Sequence, residues 1–96
     1  MPAVTRIGNA DVAHCSGMTR AVGSSDVFVN GIAVSRQSDI NTIHKKPPAP
    51  CPPHTAPITS GSSTVKVNGL GCGRIGDAIT ACTSVAAGSP DVFAGG

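Results

Sequence analysis

The sequence predicts a small all-β protein built as a ring of three pseudo-threefold β-hairpin repeats closed around a metal ion. Three observations predict it. Arg6, Arg36 and Arg74 are each followed eight residues later by a side chain that binds transition metals, namely His14, His44 and Cys82. The flanking segments agree: Arg6-Ile7-Gly8 matches Arg74-Ile75-Gly76, and Ala3-Val4-Thr5-Arg6 matches Ala33-Val34-Ser35-Arg36. An opening stretch also recurs, because residues 23–31 (GSSDVFVNG) resemble residues 61–69 (GSSTVKVNG). In both, the opening glycine precedes the arginine by 13 positions. Internal repetition on this scale sets the architecture before any single residue is considered.

The third copy is divided. Residues 88–96 (GSPDVFAGG) carry the opening half and stop where the other copies have their Asn-Gly turn. Pro2-Ala3-Val4 lines up with Ile32-Ala33-Val34, so the N-terminus supplies the second half. The two termini are therefore expected to meet and complete a third hairpin. A ring pairs both half-units, whereas an open stack leaves them unpaired.

Each hairpin has a local cause. Val27-Phe28-Val29 and Ile32-Ala33-Val34 flank Asn30-Gly31, and Val65-Lys66-Val67 and Leu70-Gly71-Cys72 flank Asn68-Gly69. Asn-Gly between short β-prone runs is a strong hairpin signal, because a type I′ turn needs positive φ at both central residues. Alternation puts Lys66 outward and Val65 and Val67 inward. Helical periodicity is nowhere convincing, and residues 77–87 have room for one helical turn at most. Asn9, Asp39 and Asp77 share one position, which suggests side-chain capping of a turn. The arginines are assigned structural work, pairing with Asp39 and Asp77 or with carbonyls between copies.

The connectors differ in length. His14 to Gly23 is 9 positions, His44 to Gly61 is 17, and Cys82 to Gly88 is 6. The longest begins Lys45-Lys46-Pro47-Pro48-Ala49-Pro50-Cys51-Pro52-Pro53-His54. Proline fixes φ and removes a backbone donor, so this reads as a stiff extended loop outside any sheet. It returns the remaining histidine, His54, toward the axis.

Residues 1–96 form one domain. With 2 Phe, no Trp and no Tyr, the core is made of small side chains. Domains of this kind usually need a staple. The four cysteines do not read as a disulfide framework, because Cys82 takes a position held elsewhere by histidine, an exchange that suits a metal ligand. His14, His44, His54 and Cys82 together make a four-ligand N/S shell. Zn²⁺ accepts such a shell as a closed tetrahedron with no site for water, which marks a structural centre; Fe²⁺ is the other candidate. Cys51, three residues before His54, and Cys15, beside His14, are alternative ligands. Cys72 aligns with Val34 and reads as core.

Other functions find little support. A net charge of +2 with a single basic pair, Lys45-Lys46, and no interleaved aromatics argues against nucleic acid. There is no Ser-His-Asp order, no phosphate-cradling glycine loop and no acid–base carboxylate pair, so no small-molecule substrate and no catalysis are expected. There is no apolar run of transmembrane length and no signal-peptide pattern, so synthesis in the cytoplasm is expected. The charged fraction is only 12%, which suggests a surface covered by a partner. Two alternative readings are a cytosolic metal or redox carrier using its thiols and a small metal-dependent enzyme with water as one ligand.

On these residues the chain resembles the PAAR-repeat proteins, the spike tips of contractile phage tails and type VI secretion systems. The likeness covers nearly the whole chain. Its opening reads Pro2-Ala3-Val4-Thr5-Arg6, one residue longer than the family's Pro-Ala-Ala-Arg and with Val in place of Ala. The resemblance implies a cone of hairpins with three His and one Cys around a metal at the sharp end, roles that fall on His14, His44, His54 and Cys82. It also implies a homotrimeric β-helical spike as partner, one tip per trimer. Transient contact with a target membrane during piercing and a place at the tip of a virion tail or secretion apparatus follow from the same likeness.

Overall fold

The computed structural model describes residues 2–13, 17–45, 53–80 and 82–95, except the side chains of His44, Lys45 and Pro53. Among the described residues there is no helix, and all regular pairing is short and antiparallel. Strands β1 (Phe28–Val29) and β2 (Ile32–Ala33) form one hairpin, and β5 (Lys66–Val67) and β6 (Leu70–Gly71) another. Their turns have positive φ at Asn30 (55°) and Gly31 (76°), and at Asn68 (54°) and Gly69 (79°). This is the left-handed pair that the Asn-Gly signal demands.

The chain ends pair in the same manner. Phe93 bridges Ala3 with the register that Phe28 has with Ala33. Val4 N donates to Val92 O (3.0 Å), as Val34 N does to Val27 O (3.1 Å) and Cys72 N to Val65 O (3.0 Å).

Beyond the hairpins the three sequence copies pair with one another. Val4 bridges Arg74, Val34 bridges Arg6, and Cys72 bridges Arg36, so the pairing returns to its starting segment. At the centre, Thr5 N donates to Gly73 O (3.0 Å), Gly73 N to Ser35 O (2.9 Å) and Ser35 N to Thr5 O (3.1 Å). Three backbone groups thus satisfy one another in a closed triangle. Each chain segment then makes a β-turn and enters a second belt. There Ala10 pairs with Thr19, Ile40 with Pro57, and Ala78 with Ser84, while Arg20–Asn41, Ile58–Ile79 and Val85–Asp11 bridges join the neighbours. This belt also closes on itself.

The apolar core is divided by these two layers. Val4, Val34, Val67, Cys72 and Ala94 form the cluster under the hairpins, with Val29 and Val92 packed against it. Ala56, Ile58, Ile79 and Val85 form a second cluster in the belt. Cys72 stands where the other copies have Val4 and Val34, and burial pushes its thiol pKa up, as expected of a core filler.

Two expectations need correction. Val65 does not face inward; it is 40% exposed, and only Val67 is buried. The strand begins at Lys66, and Val65 still belongs to the turn tied down by Ser62, so alternation does not reach it. The end of the proline-rich segment is not outside a sheet, because β4 (Pro53–His54) pairs with β3 (His44–Lys45). A two-stranded ribbon has an open edge, which tolerates a residue without N–H. The described residues of 77–87 hold no helix, within the single turn at most that the sequence allows, since their carbonyls and amides are used in the belt.

Candidate metal centre and the network that carries it

The scaffold is held by one side-chain device used three times. Arg6, Arg36 and Arg74 each open a β-turn closed by an i+3 amide: Asn9 N to Arg6 O (3.0 Å), Asp39 N to Arg36 O (3.0 Å) and Asp77 N to Arg74 O (3.1 Å). The side chain of that last residue turns back to accept from the arginine backbone N–H at 2.8 Å in all three. It also accepts from the guanidinium Nε, at 3.1 Å for Asn9, 2.8 Å for Asp39 and 3.2 Å for Asp77. The carboxylates of Asp39 and Asp77 raise the pKa of Arg36 and Arg74.

The other face of each guanidinium reaches the next hairpin. Arg6 Nη1 donates to Asn30 Oδ1 (3.0 Å), Arg36 Nη1 to Asn68 Oδ1 (3.0 Å) and Arg74 Nη1 to Gly95 O (3.0 Å). The same acceptors bind Ser89, Ser24 and Ser62 Oγ respectively. Those serines in turn accept from the amides of Val92, Val27 and Val65. Asn30 Nδ2 donates to Asp91 (2.9 Å) and Asn68 Nδ2 to Asp26 (2.8 Å). These amide bonds, followed by those from Ser89 and Ser24, hold both carboxyls below their ordinary pKa of 3.8.

Past the belt the chain reaches the predicted ligands. Cys82 N donates to Ile79 O (3.0 Å), so Cys82 leaves the belt in a tight turn and packs against the Ile58–Val85 cluster. His54 Nε2 lies 3.5 Å from Cys82 Sγ, across 28 residues of sequence. Backbone register sets His44 directly opposite His54. The structure therefore brings His54 and Cys82 together and sets the His44 backbone opposite His54. His14, the alternative ligands Cys15 and Cys51, and the lysine-proline segment 46–52 lie outside the described residues. Among the described residues there is no group of three or more His, Cys, Asp or Glu gathered at one point.

The chemistry of this pair suits a tetrahedral ion. With Zn–N near 2.0–2.1 Å and Zn–S near 2.3 Å, a tetrahedral N···S edge is roughly 3.6 Å. The observed 3.5 Å lies at that edge length.

The sequence reading missed a buried polar cluster in the belt. Arg20 Nη2 and Asp11 Oδ2 form an ion pair at 2.9 Å, with both side chains 0% exposed. Asn41 Nδ2 donates to the same carboxylate oxygen (3.2 Å), and Asn41 Oδ1 accepts from Ala56 N (2.9 Å). Arg20 Nη1 donates to Asp39 O (3.3 Å). Its one sequence signal is the departure of Arg20 from Ile58 and Val85, and of Asp11 and Asn41 from Ile79, at matching positions.

Comparison with known proteins adds no relative: no family model matches the chain, and no curated protein matches it.

Proposed function

We propose that this chain is the metal-stabilised tip of a membrane-piercing spike, a PAAR-repeat-like protein that caps a homotrimeric β-helical shaft, one tip per trimer. In this reading the three hairpin copies form a pseudo-threefold cone, the third copy is split between the chain ends, and the metal sits near the apex. Such a tip belongs to a phage tail or a secretion apparatus, and its work is mechanical.

The observation that carries the reading is the closed pairing of Val4–Arg74, Val34–Arg6 and Cys72–Arg36. A single chain whose three similar segments pair in a ring presents three similar faces. That is what a monomer needs to seat on a threefold end, and seating there covers edges that would otherwise recruit other strands. Exposed Phe28 (57%) and Phe93 (50%) on the hairpins supply apolar area for such a contact.

His14, His44, His54 and Cys82 are the proposed ligands of one Zn²⁺ or Fe²⁺. The 3.5 Å approach of His54 Nε2 to Cys82 Sγ, close to a tetrahedral edge length, supports the assignment, as does the register of His44 against His54. The bound ion supplies cross-linking. It ties the ends of the three copies and the proline-rich connector into one point where the apolar core is thin. Structural zinc contributes about 10–16 kcal/mol in small domains that fold around it, which would stiffen the tip.

The test is elemental analysis of chain purified without added metal, followed by thermal unfolding with and without a chelator. About one zinc or iron per chain is expected for a closed four-ligand site, with the folded signal lost on chelation. Co-purification with a trimeric β-helical shaft tests the partner. A folded, metal-free chain with an unchanged melting temperature overturns the metal assignment.

A further inference from the structure

The belt contains three corresponding junctions with different chemistry. Two of the bridged pairs, Ile58–Ile79 and Val85–Asp11, and the third, Arg20–Asn41, occupy matching positions of the three copies. Around Arg20 the junction is a fully buried salt bridge with an amide attached. Around Ile58 it is aliphatic, with Ile79, Val85 and Ala56 in one cluster. We infer that the Asp11–Arg20–Asn41 cluster is a register key: it fixes which copy docks on which, so that the chain closes on itself once and in one order.

The physical problem is real for this sequence. The three segments share backbone hydrogen bonds almost atom for atom: Arg20 N to Asn9 O (2.8 Å), Ile58 N to Asp39 O (3.1 Å) and Val85 N to Asp77 O (3.1 Å). Main-chain pairing therefore cannot tell one copy from another. A copy docked in the wrong slot would keep its ladder and, if the slot belonged to a second molecule, would start an assembly that need not close. Side-chain identity has to discriminate.

The cluster does so by penalty. In its own slot the Arg20 guanidinium meets the Asp11 carboxylate, Asn41 donates to the same carboxylate, and the Asp39 carbonyl accepts a further bond. In the Ile58 slot it would sit opposite Ile79 instead, and a buried charge without its partner is strongly disfavoured. Replacing such a pair with aliphatic residues often leaves stability unchanged or higher. The key thus supplies uniqueness more than net stability. It rests on the belt pairing alone and is independent of the metal and of the shaft.

The experiment compares wild-type full-length chain with two variants after refolding over a range of concentrations. D11I/R20I/N41I makes all three junctions aliphatic, and D11I/R20I does so while keeping the Asn41–Ala56 bond. Light scattering reads the mass, and amide NMR reads the number of conformers. Wild type is expected to be a monomer with one resonance per amide. At least one variant is expected to fold with similar or higher thermal stability yet give concentration-dependent oligomers and more than one set of belt resonances. If every variant that folds is a single monomeric species with one resonance set, the proposal is overturned. Failure of both variants to fold also overturns it, because the cluster would then be needed for stability and not for register.

Discussion

The upper triangle and the lower belt are built from the same three sequence copies, yet they solve different problems. In the triangle, Thr5, Ser35 and Gly73 exchange near-equal backbone bonds, and the residues beside them (Val4, Val34, Cys72) are all small and buried. In the belt, the corresponding positions carry Arg20, Ile58 and Val85, and Asp11, Asn41 and Ile79. Likeness among copies gives a closed ring of hydrogen bonds where side chains are too small to give much apolar burial. Difference among copies gives the ring a beginning and an end. Repetition alone would stabilise the shape without choosing a unique closure.

The largest effect should come from breaking the belt on its polar side. Arg20→Ala leaves the Asp11 carboxylate buried beside Asn41 and should cost about 3–5 kcal/mol, read as a lower denaturation midpoint. In the upper layer the sensitive positions are the opening glycines. A Cβ at Gly61 would lie 2.4 Å from Cys72 O, at Gly23 2.7 Å from Val34 O, and at Gly88 2.6 Å from Val4 O. Those carbonyls accept the next amide, from Ser62, Ser24 and Ser89, each at 2.8 Å. Gly61→Ala must push strands apart, and a loss of about 1–3 kcal/mol is expected by the same measurement.

A smaller effect runs in the opposite direction. The third residue of each arginine turn has positive φ: 88° at Gly8, 89° at Gly76, and 73° at Ser38. Only the first copy bears a Cβ there. Ser38→Gly should raise stability by about 1 kcal/mol or less, the net of relieved strain and added unfolded-state freedom. A calorimetric melting temperature at or below wild type would show that the turn around Ser38 holds no strain.

The smallest effect concerns acid. Asp26 and Asp91 have depressed pKa values because Asn68 and Asn30 donate to them, and Thr64 takes the corresponding place in the second copy. A depressed carboxyl pKa contributes stability that is fully present above the ordinary value of 3.8 and lost as pH falls through the folded value. The melting-temperature difference between wild type and D91N should be flat from neutral pH down to about pH 5 and close below it. A difference that is the same at pH 3 and pH 7 would remove the carboxylate from the account.

Much of this was legible in the residues. The Asn-Gly turns, the Arg–Asx turns and the role of Cys72 followed from local chemistry and repeat position, because short-range sterics and hydrogen bonding fix them. The nearness of His54 to Cys82 was inferred only from the number of ligands a metal takes, and 28 intervening residues carry no local signal for it. The outward turn of Val65 and the pairing of Pro53–His54 escaped because alternation and proline rules assume strands longer than two residues.

The sequence by itself determined the repeated unit, its hairpin turns and the inventory of metal-type side chains, since each depends on residues close along the chain. Only the tertiary structure decided that Asp11, Arg20 and Asn41 would meet in a dry belt and that three opening glycines would lie under three carbonyls. The polar cluster depends on contacts between copies, where closure of the ring brings distant segments together and buries their side chains, and the glycine contacts depend on how the two ends of each hairpin fold onto one another.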